Sequence, residues 1–381
     1  MPRNVPSTIY IGLMSGTSLD GVDIAIVDFA AQAPNVIHCA TWPFEKSLRA
    51  RIRMVTLDKS ASIDALCQLD VELGITYADV VNRSLEKVGL EHSRIRAIGS
   101  HGQTIRHRPS DDLPYSLQIG DPNTLAARTG ILTIGDFRRM DIALGGQGAP
   151  LAPAFHNVIF RSDSWDRAII NIGGIANITG LPANAESEVV GFDTGPGNTL
   201  LDYWINQHQG LLHDDRGNWA ASGSVIESLL SAMLSNEPYF NQLPPKSTGT
   251  DYFGPDWLSQ YLAPEFSPQD VQATLLELTV VSIAKGLAKL ASFPQECYIC
   301  GGGVNNHFLI ERLKQQIPDC DVDSTEALGI DPDYVEALAF AWLAQQRINH
   351  HAGNLPSVTQ AKASVVLGGA YWGHGTGLES S

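Results

Sequence analysis

The sequence is short of cysteine, of basic charge and of long apolar runs, and each shortage removes a class of protein. Five cysteines among 381 residues cannot make the disulfide framework of a small secreted domain. Lys and Arg number 25 against 41 Asp and Glu, a formal net charge of −16. That balance disfavours non-specific binding to nucleic acid or to an anionic membrane. No apolar stretch reaches the roughly 18–20 residues of a membrane-crossing helix. The apolar run at residues 9–14 is cut by Gly12 and is too short for a secretory signal, so the chain reads as cytoplasmic. Several motifs are missing too: the phosphate loop G-x-x-x-x-G-K-[ST], a G-x-G-x-x-G opening a helix, the G-x-S-x-G elbow and the protein-kinase set. Without an H-E-x-x-H pattern, His101 and His156 read as hydrogen-bonding histidines rather than metal ligands. Cys297 and Cys300 form a CxxC pair inside an apolar strand. A strand points them to opposite faces, and no second pair completes a zinc site, so they read as core.

What is present is a long chain with 44% hydrophobic and 17% charged residues, enough for two globular domains. Residues 9–29 read as two β-rich runs around a turn of Gly, Ser, Thr and Asp, a strand–loop–strand hairpin. A strand at 36–42 follows. Apolar residues at helical spacing predict a helix over 63–88, then a short strand at 95–100 ending in a polar loop at 101–104. The second half repeats this logic. Residues 167–181 again read as apolar run, glycine turn, apolar run, and a strand at 188–192 ends at Asp193. Helices are predicted over 198–207, 271–290 and 334–348, with a strand at 297–299 and a helix running through 316. The repetition suggests two related α/β domains facing each other across a cleft, 1–135 and 136–381, with the C-terminal segment packing back on the first. Residues 145–150 read as a flexible connector.

Four glycine-bearing constellations and one set of polar loops can carry chemistry. The tip Gly16, Thr17, Ser18, Leu19, Asp20, Gly21, Val22, Asp23 can aim several N–H groups at an anion, and its Asp can hold a magnesium-bound water; a plain hairpin turn explains the same residues. Asn171, Gly173 and Gly174 let backbone approach a ligand, or form a bulged turn. Asp193 stands at a strand end before a helix start, where open α/β sheets place ligands, and can serve as a general base; it can also be a turn residue. Gly301, Gly302 and Gly303 suggest a flat group such as a nucleotide base passing close by, or a flexible turn. The polar segments at 101–103, Asp121 and 136–141 are candidates for gripping a polar substrate such as a sugar, or are solvated loops.

Taken together, MSGTSLDGVD, SHGQT, QIGDPNTLA, GDFRRMD, GGQGAPL, NIGGIANIT, GFDTGPGN, PPKSTG and CGGGVNN resemble, in order and wording, the anhydro-N-acetylmuramic acid kinase family, within the superfamily of acetate and sugar kinases, heat-shock ATPases and actin. The resemblance runs from about residue 9 to beyond 337. It implies α/β architecture, two related ribonuclease-H-like domains with mixed sheets facing each other across a nucleotide-binding cleft. It implies ATP and Mg2+ as cofactors, opening of an anhydro amino sugar by water, and transfer of the γ-phosphoryl to the freed 6-oxygen. By motif, Asp193 would activate the water, residues 16–23 and 171–174 would cradle phosphates, and Gly301 to Gly303 would border adenosine. His101, Gln103, Arg138 and Glu336 become substrate-binding candidates. The wider superfamily places an Asp where this chain has Met14, so Asp20 and Asp193 become the metal candidates. The family also suggests a homodimer. Two other readings stay open: a kinase of another amino sugar, and a non-catalytic actin-like nucleotide-binding protein.

Overall fold

The computed structural model describes residues 7–16, 18–31, 33–57 and 61–373. The chain gathers into two compact units, one of the residues up to Phe155 together with those from Glu336 on, the other from His156 to Val335. The strands, in chain order, are β1 (Ile9–Ser15), β2 (Gly21–Asp28), β3 (Asn35–Pro43), β4 (Ile95–Arg108), β5 (Tyr115–Ile119), β6 (Thr133–Gly135), β7 (Arg167–Ile172), β8 (Ile175–Leu181), β9 (Val190–Pro196), β10 (Glu296–Cys300), β11 (Asp321–Ser324) and β12 (Gly369–Tyr371).

In the first unit the sheet runs β12-β6-β4-β1-β2-β3, with β5 paired to β4. Strands β1, β2 and β3 are an antiparallel meander, while β4 joins β1, and β6 joins β4, in parallel. In the second unit the order is β11-β10-β7-β8-β9. Strands β7, β8 and β9 are again an antiparallel meander, and β10 joins β7, and β11 joins β10, in parallel. Each unit thus extends the first strand of a three-stranded meander by two parallel strands. The fold is α/β with two mixed sheets of like order, as the repeated glycine hairpins suggest.

Helices form where the spacing predicts. The helix Ile63–Val88 starts on Ser62, whose side chain accepts from the Ala65 amide, and stops at Gly89 in the left-handed region at φ 69°, the usual start and stop chemistry. Its buried stripe Leu69, Leu73, Tyr77, Val81, Leu85 recurs every four residues and meets the first sheet. The helix Pro268–Leu287 buries residues on all its faces and forms the centre of the second unit's core with Ile170, Ile178 and Phe192. Among the described residues no helix is long and apolar enough to cross a membrane.

Three local expectations change. Strand β4 does not end at residue 100; it continues through His101, Gly102 and Gln103 to Arg108. The polar segment stays in the sheet because it pairs with β1 on one side and β5 on the other, so position rather than polarity decides. Likewise β9 runs through Asp193 to Pro196, held by its ladder to β8. Residues 145–150 are not a loose connector. The buried Asp141 carboxylate accepts the Gly148 amide at 2.8 Å, Asn354 Nδ2 at 2.7 Å and Thr359 Oγ1 at 2.7 Å, which staples this turn to the C-terminal segment.

That segment returns to the first sheet through two glycines. Gly12 of β1 and Gly99 of β4 are direct neighbours. A Cβ on Gly12 would lie 1.8 Å from the Ala337 carbonyl oxygen, and one on Gly99 2.0 Å from that of Phe340. The helix Val335–Ile348 therefore lies with its backbone against bare strand backbone. Gly12→Ala and Gly99→Ala should each lower stability by about 3 kcal/mol or more, the upper end for overpacking. Gly302→Ala, which meets nothing within 4 Å, should stay within about 1 kcal/mol. Denaturant unfolding of the three variants checks this.

Candidate active site

At the turn between β1 and β2, Thr17 lies outside the described residues. The Leu19 amide donates to the Gly16 carbonyl at 3.3 Å. Leu19 adopts a left-handed φ of 57° while its side chain is buried in the first core, so it pegs the tip in place. Asp20 Oδ1 accepts Ser18 Oγ at 2.9 Å and the Gly21 amide at 3.0 Å, and Arg49 Nη2 donates to the Ser18 carbonyl at 3.3 Å. Gly21 answers to packing, since a Cβ there would sit 2.3 Å from the Trp42 carbonyl oxygen. Val22 is buried in the core. Asp23 pairs across the hairpin with Met14 and accepts Thr41 Oγ1 at 2.6 Å. Gly16, Ser18 and Asp20 are thus the part of this tip that presents polar groups.

Gln103 braces that tip from beneath. Ser15 Oγ donates to Gln103 Oε1 at 2.7 Å and lies 3.1 Å from Tyr77 Oη, and Gln103 Nε2 donates to the Gly16 carbonyl at 3.3 Å. Gln103 is buried and its side chain bonds to the hairpin at both ends. Nearby in the same unit, Arg138 Nη1 donates to the Gly148 carbonyl at 2.8 Å and Nη2 to His101 Nε2 at 2.8 Å. A guanidinium can only donate, so His101 accepts at Nε2 and carries its proton on Nδ1. Burial, then the Arg138 charge, holds His101 well below its ordinary range, which keeps it neutral. Burial also lowers Arg138 to about 10, with Glu336 and Asp141 pulling the other way. The Glu336 carboxyl is raised by burial and lowered by Arg138. Three of the four substrate-side candidates, His101, Arg138 and Glu336, are therefore one electrostatic group, while Gln103 belongs to the hairpin.

In the second unit the tip between β7 and β8 is tied to the start of the helix Thr199–Gln209. The Gly173 carbonyl accepts the Asn198 amide at 2.8 Å, and the Gly174 carbonyl accepts the Gly197 and Thr199 amides at 2.9 and 3.1 Å. The three-glycine loop abuts the same hairpin. A Cβ on Gly301, at φ 78°, would be 2.3 Å from Asn171 Oδ1, and one on Gly303 2.3 Å from Ile172 Cγ2. Two of the three glycines thus exist for close approach to β7, and Gly302 alone faces open space.

Asp193 stands mid-strand in β9, opposite Asn177, held at every backbone atom and at one carboxylate oxygen. Its amide donates to the Lys246 carbonyl at 3.1 Å and its carbonyl accepts Tyr239 Oη at 2.8 Å. Its Oδ2 accepts Ser247 Oγ and the Thr248 amide, both at 2.9 Å. Among the described residues Oδ1 has no hydrogen-bond partner. Burial raises the carboxyl to about 6, against the two hydrogen bonds and the Lys246 charge, which lower it. One oxygen fixed, the other open and a proton affinity near neutrality are the requirements of a general base. Lys246, Ser247 and Thr248 carry no role in the sequence reading; the PPKSTG motif that contains them was the available signal.

Magnesium fits as a phosphate-borne ion. Among the described residues no group of three or more His, Cys, Asp or Glu could hold a metal, but an ion carried by substrate phosphates needs only one or two carboxylates. The exposed Asp20, whose Oδ1 accepts Ser18 and Gly21, would offer Oδ2 to such an ion, whereas Asp193 has Oδ2 held by Ser247 and Thr248.

Two like-ordered mixed sheets, a glycine-tipped hairpin in each and a half-buried strand carboxylate with one oxygen fixed are the frame of an α/β enzyme of sugar-kinase type. The family model for anhydro-N-acetylmuramic acid kinase matches residues 8–373, and the chain belongs to that family. It is 49% identical over 370 residues to the anhydro-N-acetylmuramic acid kinase of Coxiella burnetii (strain RSA 493 / Nine Mile phase I), covering 97% of this chain and 99% of that one. It is 48% identical over 365 residues to that of Pasteurella multocida (strain Pm70), covering 95% and 96%. With that of Haemophilus influenzae (strain ATCC 51907 / DSM 11121 / KW20 / Rd) it shares 47% identity over 381 residues, covering 97% and 99%.

Removing the Ser247 hydroxyl should tell how much the clamp tunes the Asp193 carboxyl. A hydrogen bond to a charged group contributes about 1.5 kcal/mol or more, so Ser247→Ala should raise the Asp193 carboxyl by about one pK unit. A carboxyl carbon NMR titration measures it directly.

Proposed function

We propose that the protein is an ATP-dependent kinase that opens 1,6-anhydro-N-acetylmuramic acid with water and phosphorylates its 6-oxygen, giving N-acetylmuramic acid 6-phosphate and ADP in cytoplasmic peptidoglycan recycling. The observation that carries the mechanism is the open Oδ1 of Asp193 beside its fixed Oδ2. Asp193 takes a proton from water as the water oxygen bonds to the anomeric carbon. The bond from that carbon to O6 breaks, and O6 takes the γ-phosphoryl of ATP. Backbone amides at Gly16, Ser18 and Asp20 in the first hairpin tip are suited to hold phosphate, a role that glycine tips perform without lysine, and Asn171, Gly173 and Gly174 are the corresponding candidates in the second tip. Gly302 offers the open face for adenosine. Arg138 and Glu336, with His101 against the guanidinium, grip the polar sugar. Magnesium, when bound by Asp20 and the phosphates, neutralises the β- and γ-charges.

A kinase for an unbridged amino sugar would use the same carboxylate on the sugar hydroxyl, so the two readings differ in whether water enters at the anomeric carbon. Following ADP release with 1,6-anhydro-N-acetylmuramic acid beside N-acetylmuramic acid, in heavy-oxygen water, distinguishes the two. The anhydro form should be used, with label at the anomeric carbon; turnover of the unbridged sugar alone overturns the proposal.

Asp193→Asn should lower kcat by about 10²–10⁴-fold, the usual contribution of a general base, with ATP affinity preserved. The base works deprotonated, and its pKa is raised from 3.8 to about 6. Activity should therefore be full above pH 7 and fall about tenfold per unit below pH 6. An ordinary aspartate would hold its activity down to about pH 4. A pH–rate profile between 4.5 and 8 decides.

A further inference from the structure

Glu237 lies outside the groups assigned so far, yet it is buried at 4% exposure with no cation beside it among the described residues. Burying a carboxylate without a partner charge is expensive, so its donors matter. Its Oε1 accepts the Tyr239 amide at 2.9 Å and Tyr252 Oη at 2.9 Å; its Oε2 accepts Trp257 Nε1 at 2.8 Å and Tyr252 Oη at 3.0 Å. These donors come from the start, the end and just past the end of residues 239–252. One carboxylate therefore closes that segment into a loop.

Beyond the ladder to β8, the contacts that hold Asp193 come from this loop. Tyr239, whose amide Glu237 fixes, donates through Oη to the Asp193 carbonyl. The Tyr239 carbonyl accepts Lys246 Nζ at 3.1 Å, and the ammonium sits 4.1 Å from the Tyr239 ring centroid. The Lys246 carbonyl accepts the Asp193 amide, and the next two residues hold the Asp193 carboxylate. We infer that Glu237 is a positioning residue for the base: it closes the loop that sets the direction of the Asp193 carboxylate. The inference rests on Asp193 being that base.

Glu237→Gln keeps the size of the side chain but sets an NH2 group against the N–H and O–H donors. A shift of about 1 Å in a reacting group can cost on the order of 100-fold, so kcat should fall roughly 10- to 100-fold while the KM for ATP stays within about twofold. Tyr252→Phe removes one donor and should give a smaller fall in kcat, about 3- to 10-fold, again without a change in the ATP KM. Both are assayed on the full chain with ATP and 1,6-anhydro-N-acetylmuramic acid, after circular dichroism shows native folding. A folded Glu237→Gln protein with wild-type kcat overturns the inference, and so does a parallel loss of ATP binding, the mark of general disorder. If Glu237→Gln does not fold, an unchanged kcat in Tyr252→Phe overturns it. Asp193→Asn run alongside separates the layers. Full activity there removes the base reading and this inference together; an inactive Asp193→Asn beside a wild-type Glu237→Gln removes only the inference.

Discussion

Backbone-to-backbone contact at Gly12 and Gly99 is the constraint on which the first unit depends. It lets the helix Val335–Ile348 settle onto adjacent parallel strands more closely than any side chain allows. The docking places Phe340 against His101 and Phe137, with ring centroids 4.8 and 5.5 Å apart. It also brings Glu336, at the start of the same helix, under the influence of Arg138. The Asp141 staple fixes the other side of this group, because Gly148 donates its amide to Asp141 and accepts Arg138 Nη1 at its carbonyl. The group of His101, Arg138 and Glu336 is thereby held by packing and backbone bonds rather than by mutual ion pairing.

In the second unit the choice of neutral donors around Asp193 sets its chemistry. A direct ion pair would pull an aspartate down by one to three units. Lys246 is close enough to be felt, yet its ammonium is spent on the Tyr239 carbonyl and ring. Burial, together with the Lys289 charge, lowers Lys246 itself to about 8. A hydroxyl and an amide orient the Asp193 carboxylate without cancelling the cost of its burial. Orientation and basicity are thus supplied by different groups, which lets each be adjusted separately.

Much of this was legible in the residues. Hairpins at 9–29 and 167–181, the helix at 63–88 and the late strand before three glycines all carry strong local signals, periodicity and turn chemistry. Asp193 drew attention as a carboxylate before a helix start, although the strand runs on through it to Pro196. The rest depended on contacts distant in sequence. Polar His101 and Gln103 read as loop because nothing local shows that β1 and β5 flank them. Nothing local shows that Gly301 and Gly303 also accommodate Asn171 and Ile172, some 130 residues earlier in the chain. Glu237 and the Ser247–Thr248 pair carried no periodic signal, since their order comes from one buried carboxylate.

The first unit is made of two stretches separated by the whole of the second. During synthesis the ribosome releases the uninterrupted unit first in complete form, although its partner began earlier. The early strands must wait for the C-terminal helix with Gly12 and Gly99 uncovered, and sheet surface left bare in this way is prone to aggregate. Nascent chains truncated before residue 336 should thus be the natural clients of holdase chaperones.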